Sequence, residues 1–190
     1  MKRAAPPAAA NALPNDNGDA MKFKLTHHFD VNTEKFEKLT TDTNLQDYID
    51  TLPNLKERED LEVIEDERYV RRKVRNFAIG VIPKEIRHVL KPRMLSWIEE
   101  SVYDKLKHEF EWKITPYYFR DVFKCSGTYK YIDESDSRMR REIEGDLTIS
   151  VPVIGPIAER YIIRELRKNF EAEYRFTANY IRKKLLATAG

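Results

Sequence analysis

The sequence predicts an α+β domain in which a curved antiparallel β-sheet, of about six to seven strands, wraps around one long C-terminal α-helix. From residue 22 onward, apolar and polar residues alternate in several short segments, and this period of two is typical of half-buried strands. One long segment near the C-terminus instead repeats its apolar residues at steps of three and four, which indicates an amphipathic helix. With 190 residues and 41% hydrophobic content, the chain can bury one core.

The first 21 residues are predicted to form a disordered tail, because they are rich in Ala and Pro. Prolines at positions 6, 7 and 14 interrupt the stretch that would have to form the apolar core of a signal peptide. Met21 directly precedes the first strand pattern, so Met1 and Met21 are both candidate start sites. The folded domain is expected to span residues 22–187.

The first strand is predicted at Phe23–Val31, where apolar and polar residues alternate. Asn32 can cap a short helix after this strand, and a second short helix is expected at Leu45–Thr51. Two extended segments, Leu55–Ile64 and Tyr69–Phe77, are separated by a polar turn and therefore predict a β-hairpin.

The second half of the sheet follows a brief helix predicted at Pro83–Leu90. A strand pair is expected at Leu95–Tyr103 and Leu106–Thr115. The last hairpin is predicted from the alternation in Phe119–Tyr131 and Met139–Val151, with a turn between them.

The longest predicted element is the C-terminal helix. Pro152 and the Gly155-Pro156 pair are expected to end the sheet, so the helix is predicted from Ile157 to about Ala187. Its apolar residues form one stripe: Ala158, Ile162, Leu166, Phe170, Tyr174, Thr177, Ile181 and Leu185. Phe170 and Tyr174 lie in the middle of the stripe, so both are expected to be largely buried or to line a pocket.

Composition argues against several classes of protein. The 34 Lys and Arg residues nearly balance the 32 Asp and Glu residues, so no nucleic-acid partner is expected. No apolar run is long enough for a membrane-spanning helix, while transient contact with a membrane surface stays open. The single cysteine, Cys125, predicts neither a disulfide nor a cysteine zinc site, and it favours a cytoplasmic location.

Three segments resemble a known superfamily. They are the strand Phe23–Val31 with the following DVNTEKFEKL helix, the LPNL segment at 52–55, and the junction GDLTISVPVIGPIAERYIIREL. These segments resemble the START-like, or helix-grip, superfamily (Bet v 1-like, SRPBCC), which includes the birch-pollen allergen class, polyketide cyclases and lipid-transfer domains. The junction especially resembles an uncharacterised bacterial START-like family, through Gly145, Leu147, Ile149, Pro152, Gly155 and Glu159. The segment Pro83–Arg93 departs from the superfamily pattern.

The resemblance spans roughly residues 22–186 and implies a ligand cavity between the sheet and the C-terminal helix. Following the inward-facing positions of strands and helix yields eleven candidate residues that line this cavity. The apolar and aromatic candidates are Trp97, Trp112, Phe123, Phe170 and Tyr174. The ionisable candidates are His27, Arg72, Glu99, His108, Asp121 and Arg141.

Buried ionisable groups are costly unless they are paired, so the ionisable candidates suggest a polar cluster that could orient a ligand headgroup. The alternative for each is an ordinary core position or a solvated strand end. His27 in particular is either a hydrogen-bonded core histidine or a ligand contact.

The leading functional hypothesis is a binding or carrier protein for an apolar small molecule or lipid, with no cofactor and no metal site. A first alternative is a cyclase-like or hydrolase-like enzyme that uses Asp121, Glu99 or His108 as acid or base, although the sequence identifies no catalytic set. It requires at least two of these residues to meet in one cavity. A second alternative is a structural or partner-binding domain whose cavity is filled by bulky side chains.

Overall fold

The computed structural model describes residues 20–41, 52–80 and 82–188. It contains a seven-stranded antiparallel sheet in the order β1-β7-β6-β5-β4-β3-β2. The strands are β1 (Met21–Phe29), β2 (Leu55–Glu65), β3 (Tyr69–Ala78), β4 (Ser96–Asp104), β5 (Glu109–Pro116), β6 (Phe123–Ser135) and β7 (Arg138–Ile149). Helix α1 (Thr33–Thr41) follows β1, and helix α2 (Ile154–Thr188) follows β7. The predicted α+β helix-grip architecture is confirmed.

Two predictions lie outside the described residues. They are the second short helix at Leu45–Thr51 and nearly all of the N-terminal tail. The short helix α1 is present as predicted, and Asn32 caps it by accepting a hydrogen bond from the backbone N–H of Lys35 at 3.0 Å.

Strands β5 and β6 both begin later than the sequence predicts. His108 precedes β5 with φ 55°, and Phe119 precedes β6 with φ 63°. A residue in this left-handed region cannot continue an extended strand, so the chain turns at both positions. Arg120–Val122 then forms a 3-10 turn, and β6 starts at Phe123. The prediction that Asp121 lies on a strand is therefore wrong.

Helix α2 begins three residues earlier than predicted, at Ile154. Gly155 and Pro156 fit its first turn, because the first N–H groups of a helix have no partner within the helix and proline loses nothing there. The Glu159 carboxylate accepts a hydrogen bond from the backbone N–H of Ile149 at 2.6 Å, which fixes the helix against the end of β7. By contrast, Pro83–Leu90 forms only the 3-10 turn Lys84–Ile86 and a following turn.

The main core lies where α2 crosses β1 and β7. It contains Phe23, Trp112, Ile143, Leu147 and Ile163. Ile163 is buried although it lies outside the predicted stripe, because the curved sheet covers the helix over a wider face than one stripe.

Two glycines make room for the aromatic side chains of this core. Gly127 of β6 and Gly145 of β7 are directly paired across the sheet. A Cβ atom at Gly127 would overlap both Cζ2 of Trp112 and the carbonyl oxygen of Glu144. Only glycine therefore lets the indole ring of Trp112 lie flat against the sheet at this point.

A second core cluster lies toward the C-terminal end of α2. It joins Phe29 of β1, Phe36 of α1, Met139 of β7 and Ile181 of α2. The opposite face of the sheet carries charged pairs, including Lys24 with Glu144 at 2.6 Å and Lys73 with Glu100 at 3.3 Å. Helix α2 thus packs against two different core clusters along its length.

Candidate ligand cavity

A cavity of about 330 Å³ lies between the N-terminal half of α2 and one edge of the sheet. This edge, called the cavity edge below, consists of the starts of β2, β4 and β6 and the ends of β3, β5 and β7. Helix α2 packs closest to β1 and β7, so space remains over β4, β5 and β6. The cavity follows α2 from Ile154 to Asn169, which corresponds to about four helical turns.

The wall of the cavity is predominantly apolar. The sheet contributes Trp97, Ile114, Phe123 and Ile149, the helix contributes Ile154, Ala158, Ile162 and Leu166, and the β3–β4 connection contributes Ile86, Leu90 and Leu95. Among the described residues that line it, Glu165 is the single charged side chain, and none is Lys, Arg or His. A predominantly apolar wall with few polar groups is characteristic of small-molecule sites.

Three polar residues of the wall, Asn54, Glu165 and Asn169, lie along the helix α2 side of the cavity. Glu165 and Asn169 are one helical turn apart on α2, so they share a face. Asn54 Nδ2 donates a hydrogen bond to the Glu165 carboxylate at 2.5 Å. Trp97 packs against Leu52 and Leu55. Ala172 of α2, one helical turn beyond Asn169, packs against the same two residues.

Two buried polar atoms of wall residues have no hydrogen-bond partner among the described residues. They are the indole Nε1 of Trp97, which is a donor, and the amide Oδ1 of Asn169, which is an acceptor. Most buried polar atoms are paired, and an unpaired one costs about 1–3 kcal/mol. Both residues line the cavity, so polar groups of a bound molecule are possible partners for these atoms.

Glu165 is held as a carboxylate by partners outside the cavity. Burial would raise its pKa, but hydrogen bonds from Lys168 and Arg164 outweigh burial and hold the pKa below its ordinary value. Lys168 Nζ lies 2.9 Å from the carboxylate. The one charge on the cavity wall, among the residues described, is therefore negative, and the wall offers no cationic side chain to pair with an anionic headgroup.

The β3–β4 connection closes one side of the cavity. Ile82 and Ile86 are buried and pack with Ala158 of α2. The Arg87 side chain donates to the carbonyl of Ile82 at 2.7 Å and so stabilises the turn. The sequence prediction missed this segment as part of the site and treated it as a departure from the superfamily pattern. The signal was the spacing of Ile82, Ile86 and Leu90 at steps of four.

The eleven candidate residues lie in four different places. Trp97 and Phe123 line the cavity. Trp112 is buried in the main core, and Phe170 packs against that core with its ring 5.7 Å from the ring of Tyr129. Phe170 and Tyr174 are both partly buried rather than fully buried. Neither lines the cavity, because the stripe turns toward the two core clusters beyond Asn169.

Three further candidates meet in a buried polar cluster away from the cavity. Arg141 Nη2 donates to Nδ1 of His27 at 2.9 Å, and Arg141 Nη1 lies 2.6 Å from the carboxylate of Glu173 on α2. Tyr174 stacks on the imidazole of His27, with 4.5 Å between ring centroids. His27 Nε2 faces Glu171 at 3.4 Å. The expected polar cluster thus exists, but it lies over β1 and β7 rather than on the cavity wall.

The protonation states in this cluster follow from burial. His27 is only 2% exposed, and burial together with the charges of Arg141 and His28 lowers its pKa to about 3. His27 is therefore neutral, with Nδ1 as acceptor. Burial would lower the pKa of Arg141 as well, but the Glu173 carboxylate outweighs burial and raises it.

The remaining ionisable candidates are dispersed. Arg72 is exposed on β3, and Glu99 lies 3.9 Å from Arg58. His108 Nδ1 lies 2.8 Å from the Glu37 carboxylate, and Asp121 is exposed in the turn before β6. The enzyme hypothesis requires at least two of Asp121, Glu99 and His108 to meet in one cavity. In the structure they do not meet.

Residues 20–41, 52–80 and 82–188 provide little evidence for a cysteine nucleophile, a metal site or a membrane-spanning helix. Burial raises the pKa of the Cys125 thiol to about 12, so this cysteine is a core residue rather than a nucleophile. No group of three or more His, Cys, Asp or Glu side chains is placed to hold a metal ion within these ranges. No helix within them is both long enough and apolar enough to span a bilayer.

Solved structures with the same architecture share little sequence with this chain. The protein TTHA0849 from Thermus thermophilus superposes with a TM-score of 0.60 at 15% identity, over 89% of this chain and 99% of that one. The Zhui aromatase/cyclase from Streptomyces sp. R1128 has a TM-score of 0.61 at 14% identity, over 90% of this chain and 99% of that one. A START superfamily protein from Mycobacterium smegmatis has a TM-score of 0.53 at 14% identity, over 83% and 97%.

At these identities the structural likeness establishes the fold, which is START-like, and leaves the function open. No curated protein matches the chain in sequence. A family model described as "Protein of unknown function (DUF2505)" does match, over residues 24–181, and this range covers both the sheet and nearly all of α2. The chain therefore belongs to the family of proteins of unknown function DUF2505.

Proposed function

We propose that this protein binds and carries a compact apolar molecule, a lipid or another small hydrophobic compound, in the cavity between α2 and the cavity edge. The observation that carries this proposal is an apolar space of about 330 Å³ whose wall includes no Lys, Arg or His among the described residues. That volume lies at the lower end of the range for small-molecule sites, about 300–1,000 Å³. The START-like fold, shared with an aromatase/cyclase, supports a hydrophobic ligand.

We infer further that the polar end of the ligand is uncharged. A hydroxyl or amide group can accept a hydrogen bond from Trp97 Nε1 or donate one to Asn169 Oδ1, the two atoms that lack partners among the residues described. A carboxylate or phosphate could not donate to Asn169, and it would lie close to the negative charge of Glu165. Long-chain alcohols, sterols and phenolic ring systems have the required chemistry.

Of the alternatives, neither is favoured by a specific observation. The acid and base candidates of the enzyme hypothesis lie apart from one another and off the cavity wall. A filled cavity is disfavoured because Trp97 and Phe123 leave the space open while Trp112 packs into the core. The cytoplasmic location that the single cysteine favours is part of this proposal.

Thermal unfolding with a matched panel of ligands tests the proposal. At a free concentration about 100 times Kd, a ligand stabilises the folded state by about 2.7 kcal/mol, which raises Tm by roughly 5–10 °C for a domain of this size. We expect this shift from a long-chain alcohol or a sterol and a smaller one from the fatty acid of the same chain length. Native mass spectrometry of protein isolated from cells should show a bound apolar compound.

A substitution that fills the cavity provides the structural control. Ile162→Trp places a large ring in the cavity and should abolish the ligand-dependent shift in Tm. Leu186→Trp introduces the same ring on α2 at a position that is 70% exposed, and it should leave the shift intact. If the whole panel leaves the Tm of the unsubstituted protein unchanged, or if both variants respond alike, the proposal is wrong.

A further inference from the structure

Exposed apolar residues surround the opening of the cavity. Three of the connections that reach the cavity edge carry these residues: 79–95 between β3 and β4, 117–122 between β5 and β6, and 150–153 between β7 and α2. Their exposed apolar side chains, called the rim below, are Ile79, Tyr117, Tyr118, Phe119 and Val153. Ile79, Tyr118 and Phe119 also line the cavity, so the rim borders its opening.

The rim is unusual in both exposure and backbone conformation. Val153 is 81% exposed and Ile79 is 54% exposed. Val153 has φ 66° and Phe119 has φ 63°. A left-handed conformation is strained for a β-branched residue, and such strain persists where the surrounding structure imposes it, often at functional sites. The fold therefore holds two apolar side chains outward in conformations that they would not adopt by preference.

The same three connections are basic. They contain five Lys or Arg residues, Lys84, Arg87, Lys91, Arg93 and Arg120, and two acidic residues, Glu85 and Asp121. Their net charge of +3 exceeds the net charge of +2 of the whole chain. All five basic residues are exposed. The three connections that carry the apolar rim are thus positively charged, although the chain as a whole is almost neutral.

We propose that the rim is a docking surface for an anionic lipid bilayer, into which Val153, Phe119 and the neighbouring tyrosines insert while the basic residues contact the headgroups. Exposed apolar and aromatic side chains flanked by Lys and Arg suit the interface of a bilayer. Docking would direct the opening of the cavity toward the bilayer, so an apolar molecule could pass between them without crossing water. The docking surface goes beyond the proposed function and does not depend on it.

Cosedimentation with vesicles tests the proposal without added ligand. The full chain should bind vesicles of equal parts phosphatidylcholine and phosphatidylglycerol at low salt, and it should bind phosphatidylcholine vesicles only weakly. Binding should fall as salt rises, because salt screens the attraction between the basic residues and the headgroups. If the protein does not bind the anionic vesicles at low salt, the proposal is wrong.

A variant of the apolar rim and its matched control locate the surface. Val153→Asp should reduce partitioning into anionic vesicles about tenfold or more, and Asp tolerates a left-handed backbone better than Val, so folding should persist. The control Leu106→Asp alters a residue that is 73% exposed in the turn between β4 and β5, at the opposite end of the sheet. It should leave partitioning unchanged. Equal losses in Val153→Asp and Leu106→Asp would contradict the proposal.

A charge variant completes the design. Replacing Lys84 and Arg93 together by Gln should reduce partitioning about tenfold at low salt, whereas Lys107→Gln at the opposite end should have little effect.

Val153→Asp should keep the ligand-dependent shift in Tm, and Ile162→Trp should keep vesicle binding, so failure of one proposal can be told from failure of the other. Light scattering that shows a dimer abolished by Val153→Asp, without vesicle binding, would assign the rim to a second copy of the chain and overturn the proposal.

Discussion

The buried histidine His27 should make the stability of this protein depend on pH. In the folded protein its pKa is lowered to about 3, whereas its ordinary value in an unfolded chain is 6.5. Between these two values the unfolded state binds a proton that the folded state does not. Stability contributed by neutral His27 is therefore fully present above about pH 6.5 and is lost as pH falls toward 3.

The size of the effect follows from the lowered pKa. Between pH 7 and pH 5, protonation of His27 in the unfolded state lowers the free energy of unfolding by about 2 kcal/mol. His27→Asn should remove this contribution, because an amide does not titrate while its oxygen, close to the position of Nδ1, still accepts a hydrogen bond from Arg141. The variant should lose some stability at pH 7, through the lost stacking on Tyr174, but its free energy of unfolding should change less with pH.

Urea denaturation at pH 7 and pH 5 measures the free energy of unfolding of each variant and its change with pH. The difference in unfolding free energy between the two pH values should be about 2 kcal/mol smaller in His27→Asn than in the unsubstituted protein. His88→Asn is the matched control: it removes an exposed histidine of the β3–β4 connection, and it should leave the difference unchanged. If His27→Asn and the unsubstituted protein show the same dependence on pH, the assignment of a neutral buried imidazole is wrong.

Two further predictions concern packing. Phe170→Ala should lower the free energy of unfolding by about 2–3 kcal/mol, less than the roughly 3–5 kcal/mol of a fully buried ring, because Phe170 is only partly buried. Arg175→Ala, at an exposed position of α2 five residues further on, should change it by a few tenths of a kcal/mol; equal shifts in urea denaturation would mean that α2 is docked with another face. Gly127→Ala should destabilise the protein by about 3 kcal/mol or more, since the added Cβ would overlap the Glu144 carbonyl and the Trp112 ring. A variant that keeps the native urea midpoint would refute this close packing.

Much of the fold could be predicted because strand and helix periods are local properties of the sequence. In β7, the alternating positions Met139, Arg141, Ile143, Gly145 and Leu147 are all buried, as the period of two predicts. The same pattern failed at the start of β6. Phe119 continues the alternation of Phe123 and later residues, but its backbone turns left-handed, and a pattern of side-chain polarity carries no information about φ.

The inward orientation of His27 and Arg141 is a consequence of strand parity, which the sequence displays directly. The contact between them does not follow from strand parity, because it depends on the register of β1 against β7, which pairs residues 114 positions apart. The sequence predicted polar residues inside the fold, and only the register brought two of them together with Glu173 of α2. The pairing of Arg141 with Glu173 is what makes its buried charge tolerable.

The amino-acid pattern alone is enough to place a curved antiparallel sheet against one long helix, since the apolar stripe of α2 requires an apolar surface and the strands supply it. The position of the cavity, by contrast, depends on how these elements are assembled. Its volume is the space that α2 leaves uncovered when it crosses β1 and β7, and its wall joins the ends of five strands with the β3–β4 connection. A gap between packed elements depends on their relative placement, which is set by many distant contacts at once, so no single segment of the sequence encodes it.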